Sequence, residues 1–209
     1  MKIAGMLKLG LILAIFAAAA CVMLAFVYTG TSVIIEQRHE ADLHAAQKEI
    51  FPDADSFEPA VGIESPDASV TIEDAYTAIR NGEPVGAVLQ LSRASYSGPI
   101  EIMAGISIGG TITGVKIMEH SDTPGLGANA ASPSYFVDRA NGITFYGQFA
   151  GKSVYDPFEV KDDVVAITAS TITSRAVASA VKAAGIAVTA WFDGIAVNAI
   201  SGASEGGGK

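Results

Sequence analysis

Five hydroxyl side chains lie within the seven residues of the stretch TASTITS: Thr168, Ser170, Thr171, Thr173 and Ser174. Arg175 follows them, and small apolar residues at helical spacing come next. A serine or threonine before a helix satisfies free backbone N–H groups, but one or two hydroxyls are enough for that task. Because a helix N-terminus also attracts anions, the surplus hydroxyls and the arginine predict a phosphate-binding site.

A second motif, TPGLG, occupies residues 123–127. Pro124 and Gly125 suit the central positions of a type II turn, since proline fixes φ and glycine accepts a positive φ. Taken alone, this is ordinary loop chemistry. Gly127, just past Leu126, adds the interpretation that a flat ligand can approach the backbone on both sides of the leucine.

Charge and cysteine content exclude several classes of function. The 209 residues carry a net charge of −9, so no basic stripe is available to neutralise the phosphates of a nucleic acid. The single cysteine, Cys21, excludes a disulfide within the chain, a cysteine-ligated iron–sulfur cluster and a cysteine-based zinc site. His39 and His44 are five residues apart, the wrong spacing for one helical face, so no metal site is predicted.

The N-terminal region predicts a membrane anchor. Residues 9–35 contain no charge, and this run exceeds the ~20 residues that span a bilayer. A cleaved signal peptide or a lipoprotein site ending at Cys21 is the alternative, but the apolar run continues past AAAAC. Lys2 and Lys8 precede the run, and Glu36, Arg38 and Glu40 follow it. We therefore expect a single-pass inner-membrane protein with a cytoplasmic N-terminus and the rest of the chain on the periplasmic or extracellular side.

The elements that must position the two motifs follow from residue periodicity. Residues 1–35 form the cytoplasmic N-terminus and anchor, 36–52 a helical stalk, 53–200 one domain, and 201–209 a flexible tail. Asn81-Gly82 and Gly109-Gly110 predict two hairpins and about four antiparallel strands.

The rest of the domain is expected to combine loops with helices. Residues 52–68 are predicted as loop and 133–140 as a short helix. A helix begins at Ser174, and Gly185 ends or weakens it. The predicted architecture is a membrane-anchored α+β domain.

The order of these features resembles a known family. A single N-terminal span, EH-x-x-TPGLG in mid-domain, QFAGK at 148–152 and a hydroxyl-rich start to a late helix resemble RnfG, the FMN-binding subunit of the Rnf (Rsx) electron-transport complex. The chain is similar, more distantly, to the NqrC component of the sodium-pumping NADH:quinone oxidoreductase. The resemblance covers nearly the whole chain and implies an extracytoplasmic FMN-binding domain with an antiparallel sheet and packed helices.

The resemblance also implies the site residues. In that family the late motif reads Ser/Thr-Gly-Ala-Thr followed by x-Thr-Ser, and the fourth residue carries FMN through a phosphoester bond. This register makes Thr171 the covalent attachment site. The other implied cofactor contacts are Thr168, Ala169, Ser170, Thr173, Thr123, Pro124, Gly125, Leu126 and Gly127, and no catalytic or metal-binding residue is implied.

This sequence departs from the family pattern at four positions. The usual glycine is Ala169, and the usual alanine is Ser170, which supplies a second hydroxyl near Thr171. The aspartate usual before the motif is Val165, and the glutamate before TPGLG is Asp122. His120, also just before TPGLG, is expected to make a structural hydrogen bond.

The implied function is electron relay within a complex, without independent catalysis. The complex couples transfer between ferredoxin and NAD to Na⁺ or H⁺ movement, and the implied partners are its other membrane and peripheral subunits, membrane lipid, and a flavin transferase that installs FMN from FAD with magnesium. The alternatives are a cofactor-free, membrane-anchored assembly subunit, an extracytoplasmic module that binds a diffusible phosphate compound, and a self-standing flavin reductase.

Overall fold

The computed structural model describes the backbone of residues 3–205. It describes the side chains of the same range except those of residues 3, 4, 9, 33, 36 and 195–205. Lys2 therefore lies outside the described residues, as do the last four positions of the predicted tail, 206–209. Contacts between residues divide the chain into two compact units, Met1–Ala45 and Ala46–Lys209.

The first helix, α1, runs without a break over Ile3–Ile50. Within the described part of the chain, two helices are long and apolar enough to cross a membrane, Gly5–Ile50 and Thr171–Gly194. In the first helix, none of the most apolar window is buried. In the second helix, 56% of the corresponding window is buried inside the domain. Burial of the second helix identifies it as a core element, and the first remains the candidate anchor.

Five antiparallel strands form one sheet in sequential order. Both predicted hairpins are present: Asn81 (φ 53°) and Gly82 (φ 80°) form the first turn, and Gly110 (φ 73°) lies in the second. Positive φ at both central residues matches the right-handed twist of the flanking strands. The strands are β1 Ser56–Pro59, β2 Val70–Arg80, β3 Glu83–Ala94, β4 Pro99–Ser107 and β5 Ile112–His120.

Two local predictions are wrong. The expected loop over 52–68 contains β1, a four-residue edge strand whose mostly exposed side chains give no alternation to detect. The expected helix over 133–140 is instead strand β6, Phe136–Asp138, which pairs with β7, Ile143–Thr144. The Asp138 carboxylate accepts hydrogen bonds from two backbone N–H groups of the intervening turn, and this favours a turn over a helix.

The second long helix, α2, spans Thr171–Glu205. It begins three residues before the expected Ser174 and passes through Gly185 without ending. A side chain at Gly185 would lie 2.8 Å from Val154, so the missing Cβ allows close packing there. The helix also overlaps the tail expected to be flexible, because it continues to Glu205.

The two faces of the sheet are covered differently. Aliphatic side chains of β3 and β4 pack on the small-residue stripe of α2, and side chains of β5 join the same core. On the other face, Gly86, Gly105 and Gly114 leave room for Ile50 and Phe51 at the end of α1: a Cβ at Gly86 would lie 2.7 Å from the Phe51 ring. The sheet thus holds α2 on one face and the last turn of α1 on the other.

Candidate functional site

The fold brings the two sequence motifs together around one cavity of about 380 Å³. This volume lies within the range of small-molecule sites. The start of α2 forms one wall, and the TPGLG loop that follows β5 forms the other. The cavity is lined by Tyr96, Asp122, Thr123, Leu126, Gly127, Ala169, Ser170, Thr171, Ile172 and Thr173.

Most of the predicted contacts lie in this lining, but three do not. Thr168, Pro124 and Gly125 are absent from it. Conversely, Tyr96, Asp122 and Ile172 line the cavity without having been predicted as contacts. The position of Asp122 immediately before TPGLG is a sequence feature that indicates its place at the cavity. The place of Tyr96 at the cavity depends on the pairing of β3 with β4, which no sequence motif indicates.

The TPGLG loop forms the predicted tight turn. Leu126 N–H donates to the Thr123 carbonyl at 3.1 Å, and Gly125 has a φ of 79°, as a type II turn requires. Gly127 is buried, and a Cβ there would lie 2.6 Å from a carboxylate oxygen of Asp122. The missing Cβ of the second glycine therefore makes room for Asp122. Gly127 also lines the cavity, and its expected part in ligand approach stays a prediction.

Asp122 joins both walls of the cavity. It is 6% exposed, and its Oδ2 accepts hydrogen bonds from the hydroxyls of Ser95 at 2.7 Å and Thr173 at 2.8 Å. Its Oδ1 accepts from the backbone N–H of Ser97 at 3.0 Å. Burial acts to raise the pKa of Asp122, but these hydrogen bonds and the attraction of His120 outweigh it and hold the pKa below its ordinary value.

Two of the five clustered hydroxyls are committed to internal hydrogen bonds. Ser174 is fully buried; its Oγ accepts from the Ile167 N–H at 3.0 Å and donates to the Ser170 carbonyl at 2.9 Å. Thr173, 1% exposed, donates to Asp122. The bonds of Ser174 hold the first turn of α2 against the preceding loop, and the bond of Thr173 holds it against Asp122, the residue before TPGLG.

The other hydroxyls, those of Thr168, Ser170 and Thr171, make no side-chain hydrogen bond within the described residues, and the last two line the cavity. Ser170 precedes α2, yet its hydroxyl does not cap the helix there. The first backbone N–H groups of any helix lack intrahelical partners. Without a side-chain cap, those at the start of α2 remain available to an anion.

Arg175 and His120, both near the motifs, are absent from the cavity lining. Arg175 is exposed, and its expected part as an extra donor to a phosphate stays a prediction. His120 Nδ1 is buried without a hydrogen-bond partner among the described residues, so this atom does not make the predicted structural hydrogen bond.

The mouth of the cavity is apolar. Tyr96, Leu126 and Ile172 line it and are 73%, 43% and 54% exposed. Large apolar side chains left accessible around a concave site offer stacking area to a flat ligand. The cavity thus combines apolar surface with hydroxyls and helix N–H groups at the start of α2.

The QFAGK stretch supports the site from outside the cavity. The Gln148 amide donates to the Val165 carbonyl and accepts from the Val165 N–H, at 3.1 and 2.8 Å. Lys152 pairs with the half-buried Asp163 at 3.0 Å. These contacts hold the loop that leads into TASTITS.

Comparison with known proteins identifies the family. Residues 95–185 match the FMN-binding domain, and residues 1–50 match the RnfG N-terminal region. The chain is 34% identical to the G subunit of the Na⁺-translocating ferredoxin:NAD⁺ oxidoreductase complex of Acetobacterium woodii over 192 residues, which cover 84% of this chain and 87% of that one. The chain belongs to the RnfG family.

A second relative and one solved structure also match the chain. The G subunit of the ion-translocating oxidoreductase complex of Methanosarcina acetivorans is 35% identical over 174 residues, covering 81% of this chain and 87% of that one. The crystal structure of Shewanella oneidensis NqrC aligns with 64% of this chain and 66% of that one, at 18% identity and a TM-score of 0.42. The family resemblance drawn from the sequence motifs is confirmed, and the FMN-binding domain match includes both walls of the cavity.

The residues of the cavity fit an FMN group. The exposed apolar side chains at the mouth suit a flat isoalloxazine ring, and the start of α2 presents unpartnered hydroxyls and N–H groups to a phosphate. One lining residue, Asp122, carries a negative charge that repels an anion.

Proposed function

We propose that this chain carries FMN covalently on Thr171 and relays electrons within a membrane complex that couples transfer between ferredoxin and NAD to Na⁺ or H⁺ movement. The observation that carries the proposal is the position of Thr171. It is the first residue of α2, it lines the cavity opposite TPGLG, and its hydroxyl makes no hydrogen bond within the described residues.

Elimination among the neighbouring hydroxyls supports Thr171. Thr173 and Ser174 already donate to other groups, and Thr168 does not line the cavity. Ser170 is the competitor, but it is 7% exposed, whereas Thr171 is partly exposed. An enzyme that modifies the folded domain therefore reaches Thr171 more readily.

The attachment step requires a partner, which we propose to be a flavin transferase that uses FAD and Mg²⁺. Thr171 Oγ1 forms a bond to the FMN phosphorus, the pyrophosphate P–O bond of FAD breaks, AMP leaves, and the hydroxyl proton passes to a base of the transferase. Thr171 is thus an attachment point and takes no part in turnover.

The remaining residues position the cofactor. Bound FMN supplies a carrier of one or two electrons. Leu126 and Ile172 offer apolar contact to its ring, and the first N–H groups of α2 hold the phosphodiester. The covalent tether makes occupancy independent of the external flavin concentration. No acid–base constellation is apparent among the described lining residues, which supports a relay subunit over a self-standing reductase.

The proposed location is the inner membrane, with α1 as a single-pass anchor in contact with lipid and with other subunits. The N-terminus is cytoplasmic, and the flavin domain lies on the periplasmic or extracellular side, because Lys2 and Lys8 precede the apolar run. Reporter fusions at the C-terminus test this: an extracytoplasmic phosphatase is expected to be active there. An active phosphatase only when fused at the N-terminus contradicts the orientation.

Intact-mass measurement tests the flavin assignment. The full chain, co-expressed with a flavin transferase, is expected to gain one FMN less one water, and its gel band is expected to fluoresce after denaturation. Thr171→Ala is expected to lose all of this increment, whereas the matched variant Ser170→Ala keeps it. Retention of the increment in Thr171→Ala contradicts the attachment site.

The same measurement separates the alternatives. A colourless parent protein with no mass increment supports a cofactor-free assembly subunit. A yellow protein that releases its flavin in acid supports a module for a diffusible ligand. Either outcome contradicts the proposed covalent relay.

A further inference from the structure

The charge of the cavity is unusual for a phosphate site. Cavities that hold free phosphate compounds commonly present lysine or arginine to the phosphate oxygens. Within the described lining, the single formal charge is the Asp122 carboxylate, and no lysine, arginine or histidine is present. A phosphate that enters this cavity meets a like charge.

The carboxylate is fixed in its position. Hydrogen bonds from Ser95, Ser97 and Thr173 occupy both of its oxygens, and the missing Cβ of Gly127 lets it pack against the TPGLG turn. These donors favour the ionised form. Asp122 therefore cannot turn away from an incoming anion without breaking buried hydrogen bonds.

The charge also lies close to the start of α2. Thr173, in the first turn of that helix, donates directly to Asp122 Oδ2 at 2.8 Å. A negative charge at this end offsets the partial positive charge of the helix N-terminus. The attraction that would draw in a free phosphate is thus already partly neutralised by the protein.

We propose that Asp122 excludes untethered FMN and other diffusible phosphate monoesters from the cavity, so that flavin is held there only as the diester on Thr171. This inference rests on the proposed function. A phosphate monoester carries about −1.5 to −2 charges at pH 7. The diester carries one charge, and its tether makes binding intramolecular. Asp122 thus disfavours the competing ligand more than the intended one.

Titration of unmodified protein tests the exclusion. Full-length chain made without a flavin transferase is titrated in detergent with FMN and with riboflavin, which has the same ring but no phosphate. Asp122→Asn keeps the side-chain shape and removes the charge. We expect it to bind FMN about tenfold more tightly than the parent protein, with riboflavin affinity changed less than twofold.

Two control variants separate local charge from other effects. Asp162→Asn changes the net charge equally at an exposed position outside the cavity and is expected to leave FMN affinity unchanged. Thr173→Val removes a hydrogen bond to Asp122 but keeps its charge, and is expected to give no gain for FMN. An equal gain in Thr173→Val, an equal gain for riboflavin, or no gain in Asp122→Asn overturns the proposal.

A second measurement needs no variant and keeps the proposal open to refutation if Asp122→Asn does not fold. Salt screens like-charge repulsion. The FMN affinity of the parent protein is therefore expected to rise with ionic strength relative to that of riboflavin, and an unchanged or falling ratio overturns the proposal. The mass measurement reports covalent loading separately, so failure of the proposed function and failure of this inference are distinguishable.

Discussion

Within the stretch TASTITS, neighbouring hydroxyls have different surroundings. Ser174 and Thr173 are almost fully buried and hydrogen-bonded, whereas Thr171 lines the cavity with no partner for its hydroxyl within the described residues. Successive residues of a helix are rotated by about 100°, so residues two or three apart near its start meet different surroundings. One short motif therefore both stabilises the start of α2 and lines the cavity, and residue type alone does not separate the two roles.

The largest expected effect on stability comes from removing the fully buried hydroxyl of Ser174. Ser174→Ala is expected to lower the free energy of unfolding by about 2 kcal/mol, because it leaves the buried Ile167 N–H without an acceptor. It also removes one of two hydrogen bonds to the Ser170 carbonyl, which still accepts from the Ser174 N–H. The fluorescence of Trp191, the single tryptophan, reports unfolding of the full chain in detergent. Ser179→Ala, which removes a backbone bond from a half-buried helix serine, is the matched control and is expected to change stability by less than about 0.5 kcal/mol. Similar losses in the two variants would contradict the structural role given to the Ser174 hydroxyl.

Removal of the Thr173 hydroxyl is expected to change both the stability of the protein and the dependence of that stability on pH. Thr173→Val is expected to cost about 1 kcal/mol at pH 7. The folded-state pKa of Asp122 is depressed, so its stabilisation is complete above the unfolded-state pKa and is lost as pH falls through the folded-state pKa. Without this donor the folded-state pKa rises. Acid unfolding curves should therefore move to higher pH than in the parent protein, and a shift to lower pH contradicts the role given to this bond.

The smallest expected effect concerns the backbone that leads into the helix. Ala169 has a φ of 60°, a conformation that glycine adopts freely and alanine does not. Ala169→Gly is expected to raise the free energy of unfolding by about 0.5 kcal/mol. Ala178→Gly, inside α2, is the opposite control and is expected to cost about 1 kcal/mol. A loss of stability in Ala169→Gly would contradict backbone strain at Ala169. The same positive φ explains why the family pattern has glycine at this position.

Features that depend on neighbouring residues were predicted from the sequence. Asn81-Gly82 specifies its hairpin, and Pro124-Gly125 specifies its turn, because the required φ values are local properties of those residues. Features set by tertiary contacts were missed. Tyr96 reaches the cavity only through the sheet, and the space that Gly127 leaves for Asp122 follows from the folded turn.

Periodicity and turn chemistry depend on adjacent residues, so they predict the apolar first helix, the α+β class, the two hairpins and the two motifs that meet at the cavity. The fold is needed to show which hydroxyls of TASTITS are buried and which line the cavity, and that a fixed carboxylate lies between the motifs. These outcomes depend on hydrogen bonds between residues up to 51 positions apart, such as Thr173 with Asp122, and no local pattern specifies them.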